Sequence, residues 1–296
     1  MTCYHPIDAY RQKGGGITFS RKKAYIDQPL KIPCGQCIGC RLERSRQWAI
    51  RCVHEASLYK NNIFITLTYS DEYLPSDNSL HLEHFQNFMK RLRKKYGENI
   101  RFYHCGEYGE QTQRPHYHAC IFNFDFDDKK IWRRANGNNL YNSESLSKLW
   151  PYGYAVIGEV TFQSAAYVAR YIMKKVTGNN AETHYERIDQ DTGEIYQLKP
   201  EYTTMSRRPG IGSDWFKKFQ RDVYPQDRVI MNEKKMRPPK YYDRQFELLY
   251  PSDFEKIKSR RKINAKKHLT NNTEERLIVR EQVQRLRLSR LIRQSI

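Results

Sequence analysis

His116 and His118 lie in the run Arg114-Pro115-His116-Tyr117-His118-Ala119-Cys120-Ile121-Phe122. Such a run reads as a buried strand. Its side chains alternate faces, so the two imidazoles point the same way, roughly 7 Å apart at the backbone, and Tyr117 points the other. Two imidazoles so placed could share one cation, but a His-x-His pair is equally at home as two hydrogen-bonded histidines at a strand end. The residues upstream add a third donor. Residues 100–106 read as a strand and residues 107–113 as a turn, a hairpin that lets Glu107 lie beside His116, with Glu110 as the fallback. Two imidazoles and a carboxylate leave positions open on Mg2+ or Mn2+ for a substrate oxygen.

Residues 164–175 carry a second set. At 100° per residue, Tyr167, Tyr171 and Lys174 fall within about 60° of one another on a helix, so two phenols and an ammonium share a face. Val168 and Ile172 on the adjoining face would dock the helix on a sheet. A phenol has a pKa of about 10 and is a poor nucleophile at neutral pH. It therefore needs a strong electrophile, and a phosphodiester held by a divalent cation is one. In-line attack would leave a phosphotyrosyl link that stores the energy of the broken bond, so a 3′-hydroxyl could rejoin the strand without ATP. Lys174 could lower a phenol pKa or neutralise phosphate charge. Each tyrosine alone would pass as a boundary residue of an amphipathic helix.

A third group is Pro33-Cys34-Gly35-Gln36-Cys37-Ile38-Gly39-Cys40, in which glycines allow a tight turn to wrap thiolates around a metal such as structural Zn2+. One ligand is missing, and Cys3 is the first candidate for it, His5 the second. Reduced cysteines without metal are the plain alternative. An iron–sulfur cluster has no other redox feature to support it.

The elements that must position these groups follow from periodicity. Helices are expected over 41–59, with a basic rim, and over 81–96, closed by Gly97, and strands over 63–69 and 154–160. Residues 1–30 read as loop or extended chain, and 125–147 as an exposed insertion ending at Leu149-Trp150-Pro151. The division expected is an N-terminal Cys-cluster segment with the basic helix (1–57), a core (58–178) and a C-terminal extension (179–296). Beyond a proline-broken basic link at 234–240, residues 256–296 hold 13 Lys/Arg and 3 Glu, a net of +10. Apolar patches alternate with arginines there, as in a helix ordering along a phosphate backbone.

Composition narrows the partner. The chain of 296 residues has 52 Lys+Arg against 33 Asp+Glu, a formal +19, and 22 tyrosines that offer faces for unpaired bases. Nucleic acid is the leading partner. No apolar run of 18 residues and no signal-peptide core occurs, so no membrane role and a cytoplasmic location are expected.

The strand Phe64-Ile65-Thr66-Leu67-Thr68, the His116-Tyr117-His118 motif and the helix Tyr167-x3-Tyr171-x2-Lys174 resemble, in order, the three motifs of the HUH rolling-circle replication endonucleases. More narrowly, Pro33–Arg41, Gly106-Glu107-Tyr108-Gly109 with Arg114–His118, and Met205-Ser206-Arg207-Arg208-Pro209-Gly210-Ile211-Gly212 resemble the replication initiation proteins of gokushovirus-type Microviridae, over about residues 1–224. The resemblance implies an α+β fold with a five-stranded antiparallel sheet and flanking helices, ferredoxin- or RRM-like, followed by a helical basic extension. It implies His116, His118 and Glu107 as ligands of Mg2+ or Mn2+, Tyr167 and Tyr171 as nucleophiles and Lys174 as the motif lysine. Thr66, Thr68, Arg114, Lys175, Arg207 and Arg208 are the expected DNA contacts. The implied activity is nicking of the viral strand at the origin and religation of the displaced strand, on supercoiled double-stranded and single-stranded DNA in the host cytoplasm, with a host helicase and replication proteins as partners. A plasmid relaxase or transposase of the same chemistry, and a non-catalytic single-stranded nucleic-acid binder, remain open at this point. No role for the cysteine cluster follows from the resemblance.

Overall fold

The computed structural model describes residues 3–109, 112–135, 137–171, 181–188 and 193–290. The chain divides into two units, one of Met1–Arg44 and Phe246–Ile296, the other of Ser45–Gln245.

In the first unit, β1 (Ile7–Gln12), β2 (Ile17–Thr18) and β3 (Ala24–Ile32) form an antiparallel sheet in the order β2-β1-β3. The expectation of loop or extended chain resolves into strands. They escape the pattern because only Ala9 of β1 and Ala24 of β3 are buried, so no apolar alternation marks them. Pro29 is tolerated because β3 is an edge strand and the pairing slips at Tyr10/Arg11.

α1 (Ile38–Ala56) follows, with Ala49, Ile50 and Cys52 fully buried along its stripe. Asn62 terminates it by donating from Nδ2 to the carbonyls of Ala56 and Tyr59, both at 3.0 Å, which satisfies carbonyls the helix leaves open. The second unit is then built on β4 (Asn62–Tyr69), α2 (Leu82–Tyr96), β5 (Arg101–Tyr108), β6 (Pro115–Phe122), β7 (Lys130–Ala135), β8 (Asn138–Asn142), α3 (Glu144–Leu149), β9 (Gly153–Gly158) and α4 (Phe162–Tyr171). Next come α5 (Ala181–Tyr185), the pair β10 (Glu186–Ile188) and β11 (Ile195–Gln197), β12 (Tyr202–Met205), α6 (Ser213–Val223), and the hairpin β13 (Val229–Met231) and β14 (Lys234–Met236). α7 (Lys240–Leu249), α8 (Pro251–Lys266) and α9 (Glu274–Ser289) complete nine α-helices among the described residues.

The main sheet is antiparallel throughout with the order β12-β5-β6-β4-β9-β8-β7. It therefore has seven strands where five were expected. The stretch expected as an exposed insertion supplies β7 and β8, a hairpin joined to β9 by the single pairing Tyr141↔Ile157, and it leaves Ile131 and Trp132 exposed. The same stretch ends in α3 and a fully buried Trp150. At the other edge, β12 is four residues long, too short to show a period. The basic link at 234–240 also takes up structure, since Lys234 and Lys235 lie in β14, after a turn with positive φ at Asn232 and Glu233.

Period-two alternation divides the core. Ile63, Ile65, Leu67 and Tyr69 of β4, with Tyr117, Ala119 and Ile121 of β6, pack with Phe85, Phe88, Met89 and Leu92 of α2. Burying each large apolar side chain contributes about 1.5–3 kcal/mol. The opposite face carries Phe64, Tyr103, Cys105, Cys120 and Phe122, clustered with Ala49 and Cys52 of α1 and Ala165, Val168 and Ala169 of α4. That second face holds the candidate site. No helix among the described residues is long and apolar enough to cross a membrane.

Candidate active site

The β5–β6 hairpin sets the geometry. Its register pairs Glu107 with His116 and Cys105 with His118, so both histidines and the carboxylate project from the α4-facing side. Tyr117 projects from the other, its hydroxyl 2.7 Å from that of Tyr69 and donating to the carbonyl of His81 at 3.1 Å. Glu107 and His118 are buried and meet at 2.9 Å, Oε1 to Nε2. His116 stands one pleat along, half-buried, with its ring centroid 6.5 Å from that of His118. Glu110 lies outside the described residues.

Each histidine is held from behind by the strand next door. Thr66 Oγ1 lies 3.0 Å from His118 Nδ1, and Thr68 Oγ1 lies 3.0 Å from His116 Nδ1, matching the β4–β6 register. A hydroxyl on Nδ1 leaves Nε2 of each ring as the nitrogen offered to a ligand. The glycines of the Gly106-Glu107-Tyr108-Gly109 motif have separate uses. A Cβ at Gly109 would lie 2.9 Å from His116 Nε2, and one at Gly106 would lie 2.8 Å from the Tyr202 ring and 3.0 Å from Leu80.

α4 is laid across this face. Thr161 and Ser164 cap its start reciprocally, Thr161 N donating to Ser164 Oγ at 2.8 Å and Ser164 N to Thr161 Oγ1 at 3.1 Å. Ser45 of α1 donates to the Ala166 carbonyl at 2.9 Å. Val168 docks the helix as expected, whereas Ile172 lies outside the described residues. The consequence is that the half-buried Tyr167 ring stands 5.1 Å from that of His118 at 87°, with Phe64 edge-on at 6.4 Å. Tyr171 is the last described residue of α4. Lys174 and Lys175 lie outside the described residues.

The remaining expected positions fall in two places. Arg114 donates to the Tyr69 carbonyl at 2.8 Å and pairs with Asp71, which ties the start of β6 to the end of β4. Arg207 and Arg208 are exposed on the loop after β12. That loop is pinned by buried partners: Arg101 donates to the Pro209 carbonyl at 2.8 Å, Arg51 to that of Ile211 at 2.9 Å, and the Gly212 N–H reaches Glu55 at 2.7 Å.

In the first unit, Cys3, Cys34, Cys37 and Cys40 bring their sulfurs within 4.8 Å of one another, and they are the group of such donors that already converges among the described residues. The Cys3–Cys34 and Cys3–Cys37 separations are 3.6 and 3.9 Å. A tetrahedron with Zn–S of about 2.3 Å has edges of about 3.8 Å, so a structural Zn2+ fits. Backbone N–H groups of Tyr4, Cys34 and Cys37 donate to Cys37, Cys3 and Cys34 sulfur, each at 3.3 Å. Burial pushes the Cys37 thiol up, but N–H donation from Tyr4 and Cys40 outweighs it and holds the thiol at about 6. Cys3 therefore completes the set, and His5 instead faces Glu281.

Three functional contacts had no signal in the sequence. The Thr66 and Thr68 hydroxyls serve the histidines, Gly109 makes room for His116, and the Arg170 guanidinium stands 5.8 Å from the Tyr167 ring. Only the His–Thr pairing could have been found, from a correct β4–β6 register.

Residues 62–176 match the family model of replication-associated proteins of the ORF2 type. The chain is 36% identical to replication-associated protein VP4 of Bdellovibrio phage phiMH2K, over 90% of this chain and 84% of that one. It is 34% identical to replication-associated protein ORF2 of Spiroplasma virus 4, over 91% and 88%. With replication-associated protein ORF4 of Chlamydia phage 1 the identity is 29%, over 71% and 52%. No solved structure matches the chain.

Proposed function

From the premise that this chain belongs to the phage replication-associated proteins, as an initiator of the Microviridae type, we propose that it nicks the viral strand at the replication origin by tyrosine attack and later rejoins it. The observation that carries this reading is the seat of Tyr167 against His118, 5.1 Å between ring centroids, at the buried Glu107.

Tyr167 is the first nucleophile in this reading. Its hydroxyl oxygen bonds to phosphorus as the P–O3′ bond breaks, the phenol proton is lost, and the leaving 3′-oxygen gains a proton. The 5′ end stays on the protein as a phosphotyrosyl diester. Reversal by a 3′-hydroxyl restores the strand and frees the phenol. Arg170 beside the ring favours the phenolate and an anionic diester there. Tyr171 is the second nucleophile, for the cut that follows while the first holds DNA, and Lys174 is a neutralising cation, both on the strength of the motif.

Two imidazoles with their Nδ1 sides occupied by threonine hydroxyls, and a buried carboxylate, are a donor set that fits Mg2+ or Mn2+. When bound, such an ion would draw charge from a non-bridging phosphate oxygen. Arg207, Arg208, Lys175 and the basic C-terminal helices are the proposed DNA contacts, with Arg114 supporting the site from behind. The setting is the host cytoplasm, with a host helicase to open the duplex.

The test is a nicking assay on labelled single-stranded and supercoiled origin DNA with manganese, wild type against Tyr167→Phe, Tyr171→Phe and the double variant, with adducts read on a denaturing gel. A manganese-dependent adduct lost in the double variant is expected. Origin DNA bound with no adduct under any divalent cation would make the protein a binder, and the tyrosines packing residues.

A further inference from the structure

The four-cysteine cluster does more than close a loop. It fixes residues 3–5, because Tyr4 N–H donates to Cys37 sulfur at 3.3 Å while Cys3 sulfur sits among the other three. Those residues are what the arginine-rich helix α9 rests on. The Arg280 guanidinium lies 6.0 Å from the Tyr4 ring centroid, and His5 Nε2 meets Glu281 Oε2 at 2.5 Å. Glu281, 8% exposed, is with Leu277 one of the two residues of α9 that are buried, and its other oxygen takes Arg285 at 2.7 Å.

α9 has little else to order it. Helices of its 16 residues are marginal in water unless an apolar face packs, and here that face is Leu277 and a carboxylate. Arg276, Arg285, Arg287 and Arg290 are exposed. We propose that a Zn2+ ion bound by Cys3, Cys34, Cys37 and Cys40 is a clasp that seats α9 on Tyr4 and His5, and so presents its arginines as an ordered arm for the phosphate backbone of DNA. Binding the ion releases the thiol protons to solvent and ties Cys3 to ligands more than thirty residues away, which links metal loading to local folding. The DNA role of the arm rests on the proposed function, whereas its metal-dependent order does not.

The experiment is hydrogen–deuterium exchange on the full-length protein loaded with Co2+, whose thiolate absorption reports the site. Chelation, or Cys37→Ser, is expected to abolish that absorption and to speed exchange across residues 274–289 about tenfold, with residues 62–69 and 115–122 unchanged. The paired change Tyr4→Ala and His5→Ala keeps the Tyr4 N–H and all four thiols, so it should retain the Co2+ absorption yet loosen α9 to the same degree. Failure of the purified chain to take up Co2+ or Zn2+ would overturn the proposal, as would unchanged α9 exchange after metal loss. Because exchange is read without DNA, a chain that fails to nick can still pass this test. The arm itself is tested by binding of non-origin DNA across salt concentrations, where metal removal should flatten the dependence and an unchanged slope would rule the arm out.

Discussion

Thr66 Oγ1 lies 3.0 Å from Nδ1 of His118, and Thr68 stands in the same relation to His116, so the two candidate ligands are oriented by one neighbouring strand. Replacing either threonine by valine keeps shape and removes the hydroxyl. Such outer partners are typically worth about 10–100-fold in metal affinity or activity. Thr66→Val and Thr68→Val should therefore raise the manganese concentration needed for nicking by about that factor, and Thr66→Ser should restore it. A manganese titration of nicking rate checks this, and equal midpoints for all variants would remove the hydroxyls from the site.

The two glycines before the turn separate function from stability. At Gly109 an added methyl meets His116 Nε2 at 2.9 Å, and the ring must move. At Gly106 it meets Tyr202 and Leu80 in the packed core. Gly109→Ala should lose nicking at unchanged unfolding midpoint, while Gly106→Ala should cost about 1–3 kcal/mol through overpacking. Thermal unfolding of both, beside their nicking rates, is the measurement.

What could be seen in advance follows the two periodicities. The shared face of His116 and His118, the opposed Tyr117 and the docking of α4 through Val168 all depend on residue spacing, which a sequence displays directly. The sheet's outer strands do not. Lys130-Ile131-Trp132-Arg133-Arg134 is exposed on both sides and so carries no alternation, and Tyr202–Met205 is held as a strand only by its pairing to β5. Cross-strand partners are likewise hidden. Thr66 and Thr68 read as surface residues of a DNA-contacting strand because nothing in their own segment tells which residues of β6 stand opposite. Glu107 pairs with His116 in register, yet its carboxylate turns to His118. Cys3 could be named for the cluster only because too few cysteines lay nearby.

Acid should unfold the protein in part through His54. This ring is buried, stacked on Trp215 at 3.4 Å, with Nδ1 3.0 Å from the Tyr242 hydroxyl, and burial lowers its pKa to about 3. Between about 6.5 and 3 the unfolded chain binds a proton that the folded chain refuses, so stability is complete above 6.5 and falls as pH drops. At pH 4.5 the loss from this residue is about 2.7 kcal/mol. His54→Gln should be less stable at pH 7 but lose that much less between pH 7 and 4.5. His104, buried against Phe85 and lowered in the same direction, remains in the variant, so some acid sensitivity persists. Urea unfolding of both proteins across this range decides it; parallel curves would mean His54 takes up its proton in the folded state.

Glu55 links the sheet to the loop that carries Arg207 and Arg208. It is 2% exposed, pairs with Arg101, and accepts from the N–H of Gly212, while Arg101 also holds the Pro209 carbonyl. Glu55→Ala strands a guanidinium in a nearly closed site and removes the partner of the residue that begins α6. Breaking a buried pair from one side typically costs about 3–5 kcal/mol. The histidines and Tyr167 lie on other strands and on α4, so in the folded fraction manganese dependence should be unchanged while affinity for DNA falls with the loosened loop. Arg207→Ala with Arg208→Ala should lower DNA affinity without the loss of stability. If Glu55→Ala weakens manganese use as much as DNA binding, the loop and the candidate centre form one cooperative element.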